Sequence, residues 1–178
     1  ADRCIHGGMS GPQVRARREL LKEFPEQVLK QYEANPKAFV DEVLVPYAKA
    51  QADIDGSSYT STTGADKVNA WFGRLRQLDN SDWRPPALWF LRQHRDSPAL
   101  LDEFFSRLER LAGSMFIRRV YTTPRVTRYA ELLKELEAGH GIDAPSLELS
   151  SSERRETLER LNDHVYLVSK TRRYILQR

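Results

Sequence analysis

The sequence has one cysteine, Cys4, among its 178 residues. A lone cysteine forms no intramolecular disulfide and anchors no thiolate metal cluster, so a reducing cytoplasm is the expected compartment. Long apolar runs are also missing. No stretch approaches the roughly 18 consecutive apolar residues that a membrane-spanning helix needs. The N-terminus lacks the basic-then-apolar pattern of a secretory signal. An excess of one sign of charge is nearly absent: 28 basic residues face 25 acidic ones, and a net charge of +3 does not by itself argue for a nucleic-acid partner. There is no Gly-rich phosphate loop, no His-Glu-x-x-His pair and no Cys-x-x-Cys. The four histidines, His6, His94, His140 and His164, are scattered. No two of them lie at helical spacing, which places them at surface or capping positions and not around a metal.

What the chain does have is the balance of a folded protein. With 40% apolar and 30% charged residues it is too apolar for disorder and too polar for a membrane. Its pattern is helical nearly throughout. Gly7, Gly8, Gly11 and Pro12 make residues 1–13 a loose lead-in, and residues 14–178 are expected to form one helical domain. Val14, Leu20, Leu21 and Phe24 recur at helical spacing, followed by Pro25 and then Val28, Leu29 and Tyr32. Asn35-Pro36 is a cap followed by proline at the first helical position. Pro46 interrupts the stripe that follows and predicts a kink or break. Asp55 to Gly64, rich in Gly, Ser and Thr, is expected to be a mobile loop.

Val68, Trp71, Phe72, Leu75 and Leu78 make an amphipathic helix. Leu88 to Leu91 is apolar on nearly every face and predicts a central buried helix. Ser97-Pro98 and Thr123-Pro124 start two more helices, and Gly139 and Gly141 end the second. Leu147-Glu148-Leu149 is expected to be briefly extended. Ser150 to Ser152 with Glu153 caps the last long helix. The fold class that follows is all-α, an irregular multi-helix bundle of about seven helices counted from caps and stripes, with no strand and no repeat.

Three constellations carry possible chemistry. Glu131-Leu132-Leu133-Lys134 resembles the Glu-x-Lys end of a nuclease site, but the spacing is off by one and the segment is helical. Asp79, Asp82 and Trp83 either form a polar site beside an aromatic platform or a helical corner in which Asp82 caps the next helix and Trp83 staples it. The third is the run from Arg118 to Arg128, with four arginines and no acid. Arg118, Arg119, Arg125 and Arg128, with Tyr121 and Tyr129 between them, make a candidate phosphate-backbone contact, since such a surface gains from counterion release. The competing reading is a solvated face, or arginines paired with Glu109 and Glu131. Lys170 to Arg178 is a second basic run, although Tyr174, Ile175 and Leu176 look like a core edge.

Several runs of residues, taken in order, resemble a known family. They are Arg18-Glu19-Leu20-Leu21-Lys22-Glu23-Phe24; Phe39-Val40-Asp41-Glu42-Val43-Leu44 with Pro46-Tyr47-Ala48; Leu78-Asp79-Asn80-Ser81-Asp82-Trp83 with Pro85-Pro86-Ala87-Leu88; Phe104-Phe105 with Leu108-Glu109-Arg110-Leu111-Ala112; Arg125-Val126 with Arg128-Tyr129-Ala130; and Arg172-Arg173-Tyr174-Ile175-Leu176. This order is similar to the helical middle region of GmrSD-type bacterial restriction-endonuclease-like proteins, which act in phage defence. The resemblance covers roughly residues 14–178. It implies an upstream ParB/sulfiredoxin-like domain with an Asp-Gly-Gln-Gln-Arg motif for nucleotide hydrolysis, and a downstream His-Asn-His nuclease with a divalent metal. The Asp-Gly-Gln-Gln-Arg motif is absent from this sequence, and no catalytic residue of either part maps onto a position here. The chain begins at Ala1 and stops at Arg178 in mid-pattern, and is expected to be an internal piece of a longer protein. The expected function is a non-catalytic scaffold between flanking domains, with no cofactor of its own and with DNA as a possible contact. The alternative is a protein-interaction module without DNA contact.

Overall fold

The computed structural model describes residues 24–26, 28–163, 167 and 169–176, and every regular element among them is helical. The chain divides into two compact units, Ala1–Pro46 and Tyr47–Arg178. The expected lead-in over 1–13 lies outside the described residues.

The first unit contains a 3-10 turn, Leu29–Tyr32, and the short helix α1, Pro36–Phe39. The Asn35 side chain accepts the Ala38 amide at 3.3 Å, as its cap-then-proline pattern predicts. Phe39 gathers the aromatics, its ring 6.0 Å from Phe24 and 5.4 Å from Tyr32. The break expected at Pro46 takes the form of a π-helical turn, Val40–Leu44, in which the Val45 amide reaches back to the Val40 carbonyl. Widening the turn ahead of a proline relieves the crowding of its ring against the preceding turn. Helix α2, Val45–Gly56, then carries the chain forward.

Six further helices follow: α3 Ala65–Leu75, α4 Arg84–Gln93, α5 Pro98–Ile117, α6 Thr122–Glu137, α7 Ser151–Leu161 and α8 Ser169–Leu176. Eight α-helices therefore lie within the described residues, against about seven counted from caps and stripes. Two 3-10 turns, Gly141–Asp143 and Pro145–Leu147, join α6 to α7. The architecture is all-α, as the pattern predicts.

Helix α5 is the centre of the second unit. It packs against α3, α4, α7 and both 3-10 turns. Leu101, Phe104, Phe105 and Leu108 are buried along one stripe, and from Leu111 to Ile117 every residue is buried. The Phe104 ring stacks on Phe90 of α4 at 3.7 Å and sets its edge to Phe105, which meets Phe72 of α3 at 4.8 Å. Burying each such ring contributes about 1.5–3 kcal/mol. The central role expected of Leu88 to Leu91 thus belongs to α5. In α4, Phe90 and Leu91 are buried while Leu88 and Trp89 are half-exposed, because only one side of α4 faces α5.

Four local expectations are corrected. The segment from Asp55 is helical to Gly56, and the loop after it is anchored and not loose: Tyr59 is buried, its backbone is held by Asn69 at 3.0 and 2.9 Å, and its hydroxyl donates to the Arg95 carbonyl at 2.6 Å. Leu147 closes a 3-10 turn, so the extended backbone expected from Leu147 begins at Glu148. Helix α6 starts at Thr122, which puts Pro124 at its third position, still within the turn whose amides have no partner to lose. Asp82 does not cap α4. Trp83 occupies the cap position without a side-chain bond, buries its ring and donates Nε1–H to the Asn80 carbonyl at 3.1 Å.

Helix α8 reaches α5 through Tyr174. The Tyr174 hydroxyl donates to Glu109 Oε1 at 2.5 Å, and its ring meets Phe116 edge-on at 5.6 Å. Gly113 makes the room, since a Cβ there would overlap the Tyr174 hydroxyl. Gly113→Ala is expected to destabilise the protein by about 1–3 kcal/mol through this overlap. Urea unfolding of Gly113→Ala, Tyr174→Phe and the double variant checks it: the double variant should lose clearly less than the sum of the two, because the clash needs the hydroxyl.

Candidate nucleic-acid interface

The arginine run sits where α5 ends and α6 begins. Helix α5 closes with the Arg119 amide on the Phe116 carbonyl at 3.1 Å and the Val120 amide on the Met115 carbonyl at 3.0 Å. This closing pattern leaves the residue after the cap in the left-handed region, and Arg119 has φ of +56°.

Three of the four arginines point into the protein. The Arg118 side chain is 9% exposed and donates to Ser114 Oγ at 3.2 Å, Glu153 Oε1 at 3.1 Å and Glu156 Oε2 at 3.4 Å. Arg125 grips Asp82 Oδ2 with Nε at 2.9 Å and Nη2 at 2.7 Å, and its Nη1 donates to the Val120 carbonyl at 3.0 Å. Arg128 donates to the Ser146 carbonyl at 2.6 Å and to the Glu148 carbonyl, with Glu153 at 3.9 Å. Arg119 is the exposed one, with no ion pair among the described residues. Three of the four arginines are paired, with Asp82, Glu153 and Glu156 in place of Glu109 and Glu131.

Neighbouring hydroxyls and carboxylates complete the network. Glu153 is also the third residue of α7, where it completes a capping box with Ser150: the Ser150 amide donates to Glu153 Oε2 at 2.8 Å and the Glu153 amide to Ser150 Oγ at 3.2 Å. Ser114 and Thr157 share a hydrogen bond at 2.7 Å between α5 and α7. Glu135 of α6 accepts the Ser146 amide and hydroxyl, both at 2.8 Å. Two open cavities flank the junction. One of about 530 Å³ includes Arg118, Thr127, Arg128, Glu131 and Glu153 in its lining. The other, about 300 Å³, includes Met115, Phe116, Arg119, Val120 and Tyr121.

The remaining candidates separate. Asp79 is exposed at the edge of the smaller cavity, whereas Asp82 is committed to Arg125 and Trp83 is buried in the core, so the three do not converge. Glu131 and Lys134 both lie exposed on α6. His94 packs 4.3 Å from the Phe90 ring at the end of α4, His140 is exposed, and His6 and His164 lie outside the described residues. Among the described residues no group of three or more His, Cys, Asp or Glu side chains is placed to hold a metal ion, and no helix is long and apolar enough to cross a membrane. No protein-family model matches the chain, and no solved structure matches it.

Burial and charge set the protonation of the network. Burial alone would raise the Glu153 carboxyl, but the Ser150 amide and the charges of Arg128 and Arg118 outweigh it and hold the group below the ordinary 4.5. Burial, reinforced by the Asp82 charge, pushes the Tyr129 phenol up. Burial lowers His94 below the ordinary 6.5. Both Glu153 and His94 bind protons more weakly in the folded state, so the unfolded chain takes up protons first and acid destabilises the fold. The His94 contribution is lost as pH falls through 6.5 toward its folded value, and the Glu153 contribution as pH falls through 4.5 toward its own. The thermal midpoint is expected to drop in these two windows; His94→Phe should remove the upper drop and Glu153→Gln should shrink the lower one.

The arginines are expected to separate in stability. Arg125→Ala leaves Asp82 half-buried without its partner and should cost about 1–3 kcal/mol. Arg118→Ala should behave similarly. Arg119→Gly removes a left-handed non-glycine residue and should raise stability by up to about 1 kcal/mol. Chemical denaturation of the three variants tests the ordering.

Proposed function

We propose that this chain is a non-catalytic helical scaffold in a restriction-endonuclease-like protein of the GmrSD type, holding flanking domains in register. The observation that carries the reading is the use made of the arginines. A run that looks like a binding surface in the sequence is spent on cross-bracing. Arg125 ties α6 to the segment before α4, Arg118 ties the end of α5 to the start of α7, and Arg128 ties α6 to the backbone before α7. A scaffold transmits position only if its helices do not slide, and charge-assisted bonds between elements far apart in sequence resist sliding. The ordered runs that resemble the GmrSD-type middle region support the parentage. A nucleotide and a divalent metal belong to the domains that the resemblance implies on either side.

Contact with a DNA backbone is the secondary reading, and it falls on Arg119, with Arg172 and Arg173, which are exposed on α8. It predicts weak duplex binding that fades steeply as salt is raised, because few phosphates are engaged and counterion release dominates. The scaffold reading is tested by nuclease and nucleotide-hydrolysis assays on this chain. The expected result is no turnover. Turnover that disappears in Asp79→Ala or Asp82→Ala would overturn it.

A further inference from the structure

The end of α5 holds a conformational cost that glycine would remove. Gly139, which follows α6, has φ of +89° and meets the same requirement without strain. After α5 the left-handed position is filled by Arg119, whose side chain is exposed. Two residues on, Tyr121 stands 85% exposed, an unusual position for a large aromatic ring. Both border the cavity of about 300 Å³, whose buried lining includes Met115 and Phe116. That volume is at the small end of ligand pockets and suits a single inserted side chain.

We propose that this groove is a docking site for an acidic segment of a partner protein. The segment inserts one aromatic or apolar side chain over Met115 and Phe116, packs along Tyr121 and sets a carboxylate against Arg119. Charge complementarity selects an acidic occupant. Arg119 is exposed with no ion pair among the described residues, and α8, which lends Thr171 to the lining, carries the exposed Arg172 and Arg173. Asp79 is the acid at the edge. A protein segment fits better than nucleic acid for two reasons. Phosphate-backbone binding draws on several free cations, and three of the four arginines in the run are already engaged. An apolar floor flanked by an exposed Tyr and an exposed Arg has the composition of a protein-binding hot spot. The retained Arg119 side chain is then the reason glycine is absent.

The test is fluorescence anisotropy with the full chain and a labelled peptide of aspartate, glutamate and serine around one central phenylalanine. Saturable binding is expected, falling about tenfold in Arg119→Gly and in Tyr121→Ser, as loss of a hot-spot contact does. It should fall similarly when the peptide phenylalanine becomes serine. Arg119→Gly relaxes the backbone, so lost binding with an unchanged or raised thermal midpoint cannot be a folding defect. Absence of saturable binding, binding insensitive to both variants, or tighter binding of a duplex oligonucleotide would each overturn the inference. None of these outcomes bears on the turnover assays that test the scaffold reading.

Discussion

The last two turns of α5 are sheathed on every side, and the rest of the second unit is arranged to supply that sheath. A helix buried all round cannot turn a polar face to water, so its surface must be apolar, small or individually partnered. Each case appears between Glu109 and Ile117. Leu111, Met115 and Phe116 are apolar; Ala112 and Gly113 are small enough for neighbours to close in; Ser114 bonds to Thr157 and Glu109 to Tyr174. Gly113 shows how tight the fit is, because its missing side chain is the space through which α8 attaches.

Burying α5 also explains where the polar chemistry collects. A buried helix meets solvent and polar partners at its ends, where backbone carbonyls lack intrahelical donors. Arg118 sits at the C-terminal end of α5, and its two acids come from the first turns of α7, an arrangement that matches positive charge to the carbonyl end of one helix and negative charge to the amide end of the other. Arg125 and Arg128 follow on the next helix and reach acceptors on different elements. The cluster is a structural joint first. What it leaves for other molecules is its outer rim, Arg119 and Tyr121, and that rim borders an apolar groove.

This division between joint and rim shapes the functional reading. Counting charges along the chain treats Arg118, Arg119, Arg125 and Arg128 as equals. In the fold they are not: three cross-brace and one faces out. A phosphate-binding surface needs the charges to be available together, whereas a brace needs them desolvated and separately matched. The geometry follows the second requirement, which is why the scaffold reading rests on the arginines that sequence analysis had singled out for DNA.

Local physics was legible in the sequence because its causes lie within a turn of the residue concerned. Asn35-Pro36, the Ser150 and Glu153 box, and Gly139 with its positive φ were all found from neighbours no more than four positions away, and the all-α class followed from the same stripes. Even a miss such as the start of α6 at Thr122 moved a boundary by two residues. Partnerships across long stretches of chain were not legible. Asp82 looked like a cap for the helix beside it and instead holds Arg125; Tyr59 looked like part of a loose loop and is anchored at Arg95; Glu109 looked like an arginine partner and receives Tyr174. A carboxylate satisfies itself with whichever donor the packed backbones bring near, and that choice is made only when α5 has gathered the other helices around it.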